Sequence, residues 1–218
     1  MKVCIMASGG GTNAENIIQY APKVGIEIVG LISDQPEAFA LKRAANNDIE
    51  AVCLPFVRDH SRTYAEDKEI HETAIYEWMK ERQVDWIFLA GYMRILTSSF
   101  IEKFEEPSAG HSRIVNIHPS LLPSFPGKDA YKQAWSSGVK MSGATVHFVD
   151  SGVDTGAPIV QDCFPRLEKD SLEDFVDRGL KIEYKLYKQA MDILSKGEFS
   201  LVDIPGSDKK YVSIKEKA

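Results

Sequence analysis

Short apolar runs alternate with amphipathic stretches along the first half of the chain. Helical spacing, as at Ile17, Ile18 and Ala21, predicts helices between the runs. Regular β-α alternation is typical of a parallel sheet covered by helices on both faces, so we expect a Rossmann-like, doubly wound α/β fold. The apolar runs predict strands at residues 2–7, 26–32, 51–56, 84–90 and 113–117, and the intervening pattern predicts helices after residue 13 and at 38–46, 60–83 and 97–104.

The pattern changes in the second half of the chain. Two apolar runs, at residues 144–149 and 158–163, are joined by the turn-rich segment 150–156, which favours an antiparallel strand pair. A short helix is expected at 129–136. A long helix is expected at 171–196, with Asp170 or Ser171 as its cap and Gly197 just past its end, before a charged tail at 201–218 with a small strand at 211–214.

The net charge of the chain bears on whether it binds nucleic acid. The chain carries a formal charge of −6 and a pI near 5.4. A nucleic-acid binder needs clustered Lys and Arg to neutralise phosphates, so we expect no nucleic-acid partner. The N-terminal apolar run is too short for a signal peptide, and no run approaches the length of a membrane span, so a soluble cytoplasmic protein is expected.

The three cysteines are Cys4, Cys53 and Cys163. Their odd number and the lack of a CxxC spacing argue against a disulfide framework or a metal site. All three lie in apolar, strand-like runs, so the sequence predicts buried free thiols. The five histidines show no HExxH motif, and no bound metal is expected.

A polar pair stands at the end of the predicted strand 113–117. Asn116 and His118 are two residues apart, so in a strand their side chains point to the same face. Pro119 has no N–H for a sheet ladder and ends the strand there. A carboxamide can donate to an oxygen that gains negative charge, and an imidazole can carry a proton near neutral pH. The pair therefore predicts acyl chemistry at the carboxyl end of a strand.

The Gly-rich turn after the first strand has two functional interpretations. Backbone N–H groups at a helix start favour a phosphate group. The turn also fits G-x-G-x-x-A at Gly9, Gly11 and Ala14, and Asp34 follows the second strand where a dinucleotide-binding acid would lie. A bare tight turn, before a helix capped by Thr12 or Asn13, is the third possibility.

The segment 150–156 supplies the carboxylates that an acid–base histidine needs. A nearby anion raises the pKa of an imidazole, and Asp150 and Asp154 are the available candidates. His147, on the preceding strand, is expected to pack as an isolated core histidine. Arg94 follows the fourth predicted strand. Two interpretations are open for it: a ligand-binding residue or an ordinary surface cation.

Five segments together resemble the 10-formyltetrahydrofolate-dependent formyltransferases. The most specific is Asn-Ile-His-Pro-Ser-Leu-Leu-Pro at 116–123, with Gly-Ala-Thr-Val-His-Phe-Val at 143–149 and Val-Asp-Thr-Gly at 153–156. Ser-Gly-Gly-Gly-Thr-Asn at 8–13 and Ala-Gly-Tyr-Met-Arg-Ile-Leu at 90–96 are similar to the members that formylate the amine of glycinamide ribotide in purine synthesis. The resemblance runs from residue 1 to about residue 195.

The resemblance implies a single formyltransferase domain over residues 1–218, with a phosphate-binding half at 1–110, a catalytic and folate-binding half at 111–200 and a tail at 201–218. It implies a formyl donor, 10-formyltetrahydrofolate, and an acceptor, glycinamide ribotide, in a monomer or homodimer. By residue, it implies a catalytic trio of Asn116, His118 and Asp154; ribotide contacts from Gly11, Thr12, Asn13, Lys181 and Glu183; and folate contacts from Arg62, Met93, Arg94, Ile95, Leu96, Asn116, Asp150, Ser151, Gly152, Val153 and Asp154.

Three departures from the family pattern are local. Thr12 stands where the family usually has Ser, which keeps the hydroxyl. Asp129 and Tyr131 stand where the family often has His. The family has an Arg before the third helix, which aligns with Arg62 only if a one-residue gap is introduced. The alternatives are Arg58 or a lost contact.

Other functions fit parts of the pattern. A formyltetrahydrofolate hydrolase would use the same trio with water as acceptor, although such relatives carry an extra N-terminal domain. A tRNA formyltransferase would need a C-terminal nucleic-acid domain that the short tail cannot form. A nicotinamide-dependent oxidoreductase or a non-catalytic nucleotide-binding module is the most distant class.

Overall fold

The computed structural model describes residues 1–214, in two compact units that meet in sequence between Glu105 and Glu106. The predicted halves of a single domain, divided after residue 110, stay a prediction.

Unit 1, residues 1–105, is built on a four-stranded parallel sheet. Strand β1 pairs with β2 on one side and β4 on the other, and β3 pairs with β2, which gives the order β3-β2-β1-β4. The strand order reverses between β1 and β4, and open α/β sheets bind ligands at the carboxyl ends of strands at such a point. The elements are β1 Lys2–Met6, α1 Thr12–Tyr20, a 3₁₀ turn Ala21–Val24, β2 Glu27–Ser33, α2 Phe39–Ala45, β3 Ala51–Cys53, α3 Tyr64–Glu81, β4 Trp86–Leu89 and α4 Ser98–Glu102.

Close packing fixes α3 against β2 in this unit. Gly30 of β2 lies under the indole of Trp78, and a Cβ at Gly30 would be only 2.3 Å from the ring. Any larger residue there would push the helix away from the sheet. The helix itself starts with a capping box in which the Thr63 hydroxyl and the Glu66 carboxylate each accept a backbone N–H of the other.

Unit 2, from residue 106 on, has an antiparallel sheet in the order β7-β8-β9. The register of β7 and β8 places Asn116 opposite His147, and His118 opposite Thr145. The elements are β5 Glu105–Glu106, whose first residue closes unit 1, β6 His111–Ser112, β7 Ile114–His118, α5 Ala130–Ser136, β8 Met141–Phe148, β9 Pro158–Pro165, α6 Leu172–Lys196, and a terminal hairpin of β10 Phe199–Asp203 and β11 Lys210–Ile214.

The long helix α6 ends where the sequence predicts. Ser171 and Asp174 form a capping box at its start, and Gly197 takes the left-handed conformation at its end with φ 64°. Its residue Phe175 packs with Ala134 and Phe164 in the core of the unit. No helix among residues 1–214 is both long and apolar enough to cross a membrane.

The predicted α/β class is confirmed, with the mostly parallel sheet, the antiparallel C-terminal strands and the long helix. Several bounds are shorter than predicted: the third strand stops at Cys53, and the third helix starts at Tyr64 because Thr63 caps it. The strand predicted at 211–214 is present, whereas its partner β10 was not predicted. The last four residues of the predicted tail lie outside the described residues.

The prediction of three buried thiols is wrong for two of them. Cys4 is buried, Cys53 is partly exposed and Cys163 is exposed. Cys163 lies on β9, where alternate side chains face solvent, so an apolar run did not mean burial on both faces. Burial raises the pKa of the Cys4 thiol far above its usual range.

We expect Ser171→Ala to lower the free energy of unfolding by about 1 kcal/mol, because the cap of α6 loses its side-chain acceptor. Urea unfolding followed by circular dichroism measures this. Ser207→Ala, in the exposed terminal hairpin, is the control. Equal stability of both variants and the parent would contradict the role of the cap.

Candidate active site

The carboxyl end of β7 brings three of the predicted residues together. His118 Nδ1 lies 3.1 Å from Asp154 Oδ2, and both side chains are largely buried. Asn116, two residues earlier on the strand, has its Nδ2 3.4 Å from His147 Nε2, and that nitrogen lies 3.6 Å from Asp154 Oδ1. A carboxamide, an imidazole and a carboxylate therefore form one connected cluster in unit 2.

Both ring nitrogens of His118 face acceptors. Nε2 lies 2.8 Å from the carbonyl oxygen of Phe125, and Nδ1 faces the carboxylate of Asp154. Carbonyl and carboxylate oxygens only accept, so a ring with hydrogen on both nitrogens satisfies both contacts.

Asp154 has an uncommon backbone conformation. Its φ of 55° lies in the left-handed region, where Asp is among the better-tolerated residues. Its Oδ2 also accepts the N–H of Gly127 at 2.7 Å, so the carboxylate links the segment 150–156 to the loop after β7. Gly156 is required beside it, because a Cβ there would lie 1.9 Å from the carbonyl oxygen of Phe148.

Asp150, the other candidate carboxylate, has a different role. Its Oδ1 accepts the N–H of Gly152 at 3.1 Å and the hydroxyl of Thr155 at 2.6 Å. These bonds fold the turn that presents Asp154. The open choice between the two carboxylates therefore resolves geometrically: Asp154 reaches the imidazole, and Asp150 shapes the loop.

His147 is buried, as expected, but the expectation that it is isolated is wrong: its Nε2 lies 3.4 Å from Asn116 Nδ2 and 3.6 Å from Asp154 Oδ1. Its Nδ1 donates to the carbonyl oxygen of Phe148 at 2.8 Å, which leaves Nε2 as the acceptor facing Asn116. Burial lowers the pKa of His147, against the opposing effects of that hydrogen bond and of the Asp154 charge. A neutral His147 accepts from the Asn116 amide and fixes which way the carboxamide points. The contact of His147 with Asn116 follows from the pairing register of β8 with β7, which places the two residues opposite each other. No local sequence pattern shows that register.

The loop after β7 is held by neighbouring strands. The Thr145 hydroxyl donates to the carbonyl oxygen of Ser120 at 2.7 Å and accepts the N–H of Leu122 at 3.1 Å. The Gln161 amide donates to the Leu122 carbonyl and to Thr145, each at 2.9 Å. These bonds define the path of the chain that delivers the Phe125 carbonyl to His118.

The Gly-rich turn of unit 1 leads into α1 through Gly11. Gly11 has φ 73°, and a Cβ there would lie 2.5 Å from Ala40 Cα, so only glycine fits. The expectation of a Thr12 or Asn13 cap is wrong: Gly11 is the N-cap, and no side chain caps the helix. The first N–H groups of a helix have no intrahelical acceptor, which makes this end suited to an anion.

Asp34 and Arg94 are partners within unit 1. Arg94 Nε donates to Asp34 Oδ2 at 2.7 Å, and its guanidinium lies 4.2 Å above the Phe56 ring. Arg94 is thus not a plain surface cation. The Asp34 carboxylate also accepts the Ser8 hydroxyl at 2.6 Å and is almost fully buried. Its oxygens are engaged internally, which argues against its use on the ribose of a dinucleotide.

The segment 93–96 follows β4 and exposes two apolar side chains. Met93 is 71% exposed and Ile95 59%, whereas Leu96 is buried. Neighbouring exposed apolar side chains can be part of a ligand-binding surface.

Arg62 and Arg58 share one carboxylate in unit 1. Arg62 Nε and Arg58 Nη1 contact the two oxygens of the buried Asp67, at 2.9 Å and 2.5 Å. Each arginine is more than one third exposed and can still reach a ligand. Whether Arg62 or Arg58 serves as a folate contact stays open.

Glu183 of α6 is buried and accepts a short hydrogen bond from the Tyr131 hydroxyl. Gly179 makes room for this ring, because a Cβ there would lie 2.3 Å from the Tyr131 oxygen. Burial raises the pKa of Tyr131, with the negative charge of Glu183 adding to the effect, so the phenol stays a donor. Lys181 is exposed and lies two residues away, about 200° around the helix, so it does not share the face of Glu183.

Among residues 1–214, no group of three or more His, Cys, Asp or Glu side chains is arranged to hold a metal ion.

The formyl transferase family model matches residues 1–191. The chain belongs to this family. It is 37% identical over 203 residues to phosphoribosylglycinamide formyltransferase of Bacillus subtilis, a match that covers 90% of this chain and 98% of that protein. It is also 36% identical over 200 residues to the trifunctional purine biosynthetic protein adenosine-3 of Drosophila melanogaster, of which the match covers 14%.

Solved structures of the family have the same fold. Glycinamide ribonucleotide transformylase 1 from Symbiobacterium toebii superposes with a TM-score of 0.85 at 34% identity, covering 99% of this chain and 94% of that one. Phosphoribosylglycinamide formyltransferase from Bacillus halodurans superposes with a TM-score of 0.78 at 38% identity, covering 89% and 95%.

The lowered pKa of His147 predicts a loss of stability in acid. Because burial lowers its folded-state pKa below the ordinary 6.5, the unfolded chain binds the proton more readily. This contribution to stability is complete above about pH 6.5 and is lost as the pH falls, at up to about 1.4 kcal/mol per pH unit. Urea unfolding between pH 7.5 and pH 5 should show a smaller loss in His147→Gln than in the parent.

His111 is a second histidine that can be tested in the same unfolding experiment. Burial also lowers its pKa, so His111→Gln should flatten the same profile independently. Identical profiles for the parent and His147→Gln would contradict a buried, neutral His147.

Proposed function

We propose that this chain transfers a formyl group from 10-formyltetrahydrofolate to the primary amine of 5′-phosphoribosylglycinamide, giving formylglycinamide ribotide and tetrahydrofolate in purine biosynthesis. The observation that carries the proposal is the contact of His118 with Asp154, beside Asn116, in a chain of the formyl transferase family. The compartment, predicted to be the cytoplasm, and the predicted monomer or homodimer remain predictions.

The reaction needs no oxidant and no metal to balance. The amine nitrogen of the acceptor forms a bond to the formyl carbon, and the bond from that carbon to the donor's nitrogen breaks. The amine loses one proton, and the departing nitrogen gains one. Negative charge develops on the formyl oxygen during attack, so the protein's task is to stabilise that oxygen and to move a proton.

Asn116 is positioned to donate to the developing oxyanion. His147 holds the carboxamide by accepting one N–H of its Nδ2, which leaves the second N–H of the same nitrogen for substrate. Because the donor is already oriented, it needs little reorganisation when charge appears.

His118 supplies positive charge next to Asn116, and Asp154 supports that charge through Nδ1. To donate directly to substrate, Nε2 has to exchange the Phe125 carbonyl for the substrate oxygen. We infer that the loop at Phe125 shifts when the formyl donor binds. Asp154 has an additional role in guiding the proton toward the departing nitrogen.

Unit 1 provides features that suit the charged and flat parts of these substrates. The turn at Gly11, Thr12 and Asn13 would hold the ribotide phosphate with the N–H groups at the start of α1. The exposed apolar side chains of Met93 and Ile95 would contact the pterin of the folate, with backbone groups of Arg94 and Leu96 giving direction. Arg62 would attract a carboxylate of the folate tail.

Unit 2 contributes further binding groups. The segment 150–154 would line the folate site next to Asp154. Glu183 would accept hydrogen bonds from the ribotide, and Lys181 would be a further ribotide contact. Tyr131, in place of the family's histidine, gives Glu183 a neutral donor and leaves the carboxylate oriented.

We expect Asn116→Ala to lower kcat by about 10²–10³-fold, because one oxyanion donor is lost. Asp154→Asn should lower kcat by about 10²–10⁴-fold, because the charge that supports His118 disappears. Asn also tolerates the left-handed backbone, so the turn is expected to survive. A spectrophotometric assay of 10-formyltetrahydrofolate deformylation measures both effects.

The same assay separates the transferase from a hydrolase. Deformylation that depends on glycinamide ribotide supports the proposal, and deformylation at the same rate without it would establish the hydrolase instead. Asp208→Asn, in the exposed hairpin, is the control and should leave kcat unchanged. Near-parental kcat in Asp154→Asn would contradict the role of the carboxylate.

We expect Tyr131→Phe to raise the KM for glycinamide ribotide about tenfold, which corresponds to the loss of about 1.4 kcal/mol from a hydrogen bond to a charged group. The KM for 10-formyltetrahydrofolate should stay within twofold. Tyr211→Phe, on β11, is the matched control. Equal increases in both KM values would show a general defect and would contradict a ribotide-specific role.

A further inference from the structure

One serine joins the two loops that follow β1 and β4 in unit 1. The Ser8 N–H donates to the Gly91 carbonyl oxygen at 3.0 Å, and the Ser8 hydroxyl accepts the N–H of Met93 at 2.9 Å. These two strands are parallel neighbours at the point where the strand order reverses. The Gly-rich turn and the segment 91–96 therefore cannot shift independently without breaking bonds at Ser8.

Asp34, at the end of β2, extends this link. Its Oδ1 accepts the Ser8 hydroxyl, and its Oδ2 accepts Arg94 Nε and Gln35 Nε2, the latter at 3.0 Å. Burial acts to raise the pKa of Asp34, but the hydrogen bonds from Ser8, Gln35 and Arg94 together outweigh it and lower the pKa below its usual value. A buried, ionised carboxylate thus receives donors from both loops, and the proposed chemistry makes no use of it.

The far end of the second loop is anchored in the same manner. The buried carboxylate of Glu72, on α3, accepts the N–H of Thr97 at 2.9 Å and a short hydrogen bond from its hydroxyl. Between the two anchors, the side chains of Met93 and Ile95 project outward. The loop is therefore held in shape before any ligand arrives, which reduces the ordering cost of binding.

We propose that Asp34 is a positioning residue that fixes both substrate loops through Ser8 and Arg94, and so couples folate affinity to ribotide affinity. The inference rests on the proposed function, since it takes the Gly-rich turn as the phosphate site and the segment 93–96 as part of the folate site. A displacement of either loop is transmitted to the other through the Ser8 hydroxyl and through the bond from the Ser8 N–H to the Gly91 carbonyl oxygen. Such coupling is reciprocal: each ligand changes the affinity of the other by the same factor.

Two substitutions separate the effect of the Asp34 charge from the effect of the Ser8 hydroxyl. Asp34→Asn keeps an oxygen that can accept from Ser8 but removes the charge that holds Arg94. Ser8→Ala leaves Asp34 and Arg94 paired and removes the hydroxyl that joins the two loops. Asp85→Asn is the matched control, because Asp85 lies just before β4, at the opposite end of the same strand, and accepts the Lys2 N–H.

The experiment is isothermal titration calorimetry of tetrahydrofolate, with and without saturating glycinamide ribotide, and the reverse titration. We expect ribotide to tighten tetrahydrofolate binding at least fivefold in the parent protein, within the range typical of coupled sites. In Ser8→Ala this ratio should fall below twofold. In Asp34→Asn both ligands should bind more weakly, tetrahydrofolate about tenfold, and Asp85→Asn should match the parent.

The outcomes distinguish this inference from the proposed function. If the parent binds both ligands and Ser8→Ala keeps the parental ratio, or Asp34→Asn weakens only one ligand, the coupling through Asp34 is overturned while the function stands. If the parent binds neither ligand, the proposed function fails and the inference fails with it. Thermal unfolding of each variant identifies any that do not fold, and Ser8→Ala, which removes one hydroxyl, then decides the question alone.

Discussion

The carboxylate of Asp154 is the interaction on which unit 2's candidate chemistry depends. It accepts the Gly127 N–H and faces His118 Nδ1, so it ties the segment 150–156, the loop after β7 and the imidazole together. A largely buried carboxylate is costly unless it finds polar partners, and the Gly127 N–H and the His118 ring provide them. The left-handed backbone at Asp154 is the accompanying local strain, a common feature of functional sites.

Unit 1 contains a second buried carboxylate that also holds loops in place. Asp34 collects donors from the ends of neighbouring elements, and through Ser8 it joins the two loops that flank the reversal of strand order. Ligand sites at such points are made of loops, which are intrinsically the more mobile parts of a fold. Buried polar anchors limit that mobility. In both units, therefore, a carboxylate holds loops in shape, and of these two carboxylates the proposed chemistry uses Asp154.

Local patterns predicted the elements and the first members of the site. Period-2 spacing placed Asn116 and His118 on one face of β7, and the capping and glycine signals located α6. Contacts set by long-range register were not predictable. His147 joins the cluster only because β8 pairs with β7 opposite Asn116, and Tyr131 meets Glu183 across 52 residues of sequence. Asp34 was interpreted as a possible ligand-binding acid because two of its partners, Ser8 and Arg94, are distant in sequence.

The most direct test of the central claim is a crystal structure with a non-reactive analogue of 10-formyltetrahydrofolate bound. The account predicts that the oxygen in the formyl position lies about 3 Å from Asn116 Nδ2 and from His118 Nε2, with the Phe125 carbonyl displaced from the ring. The contact of Asp154 with Nδ1 should persist. A bound analogue whose oxygen lies away from Asn116, while His118 keeps its bond to Phe125, would contradict the account.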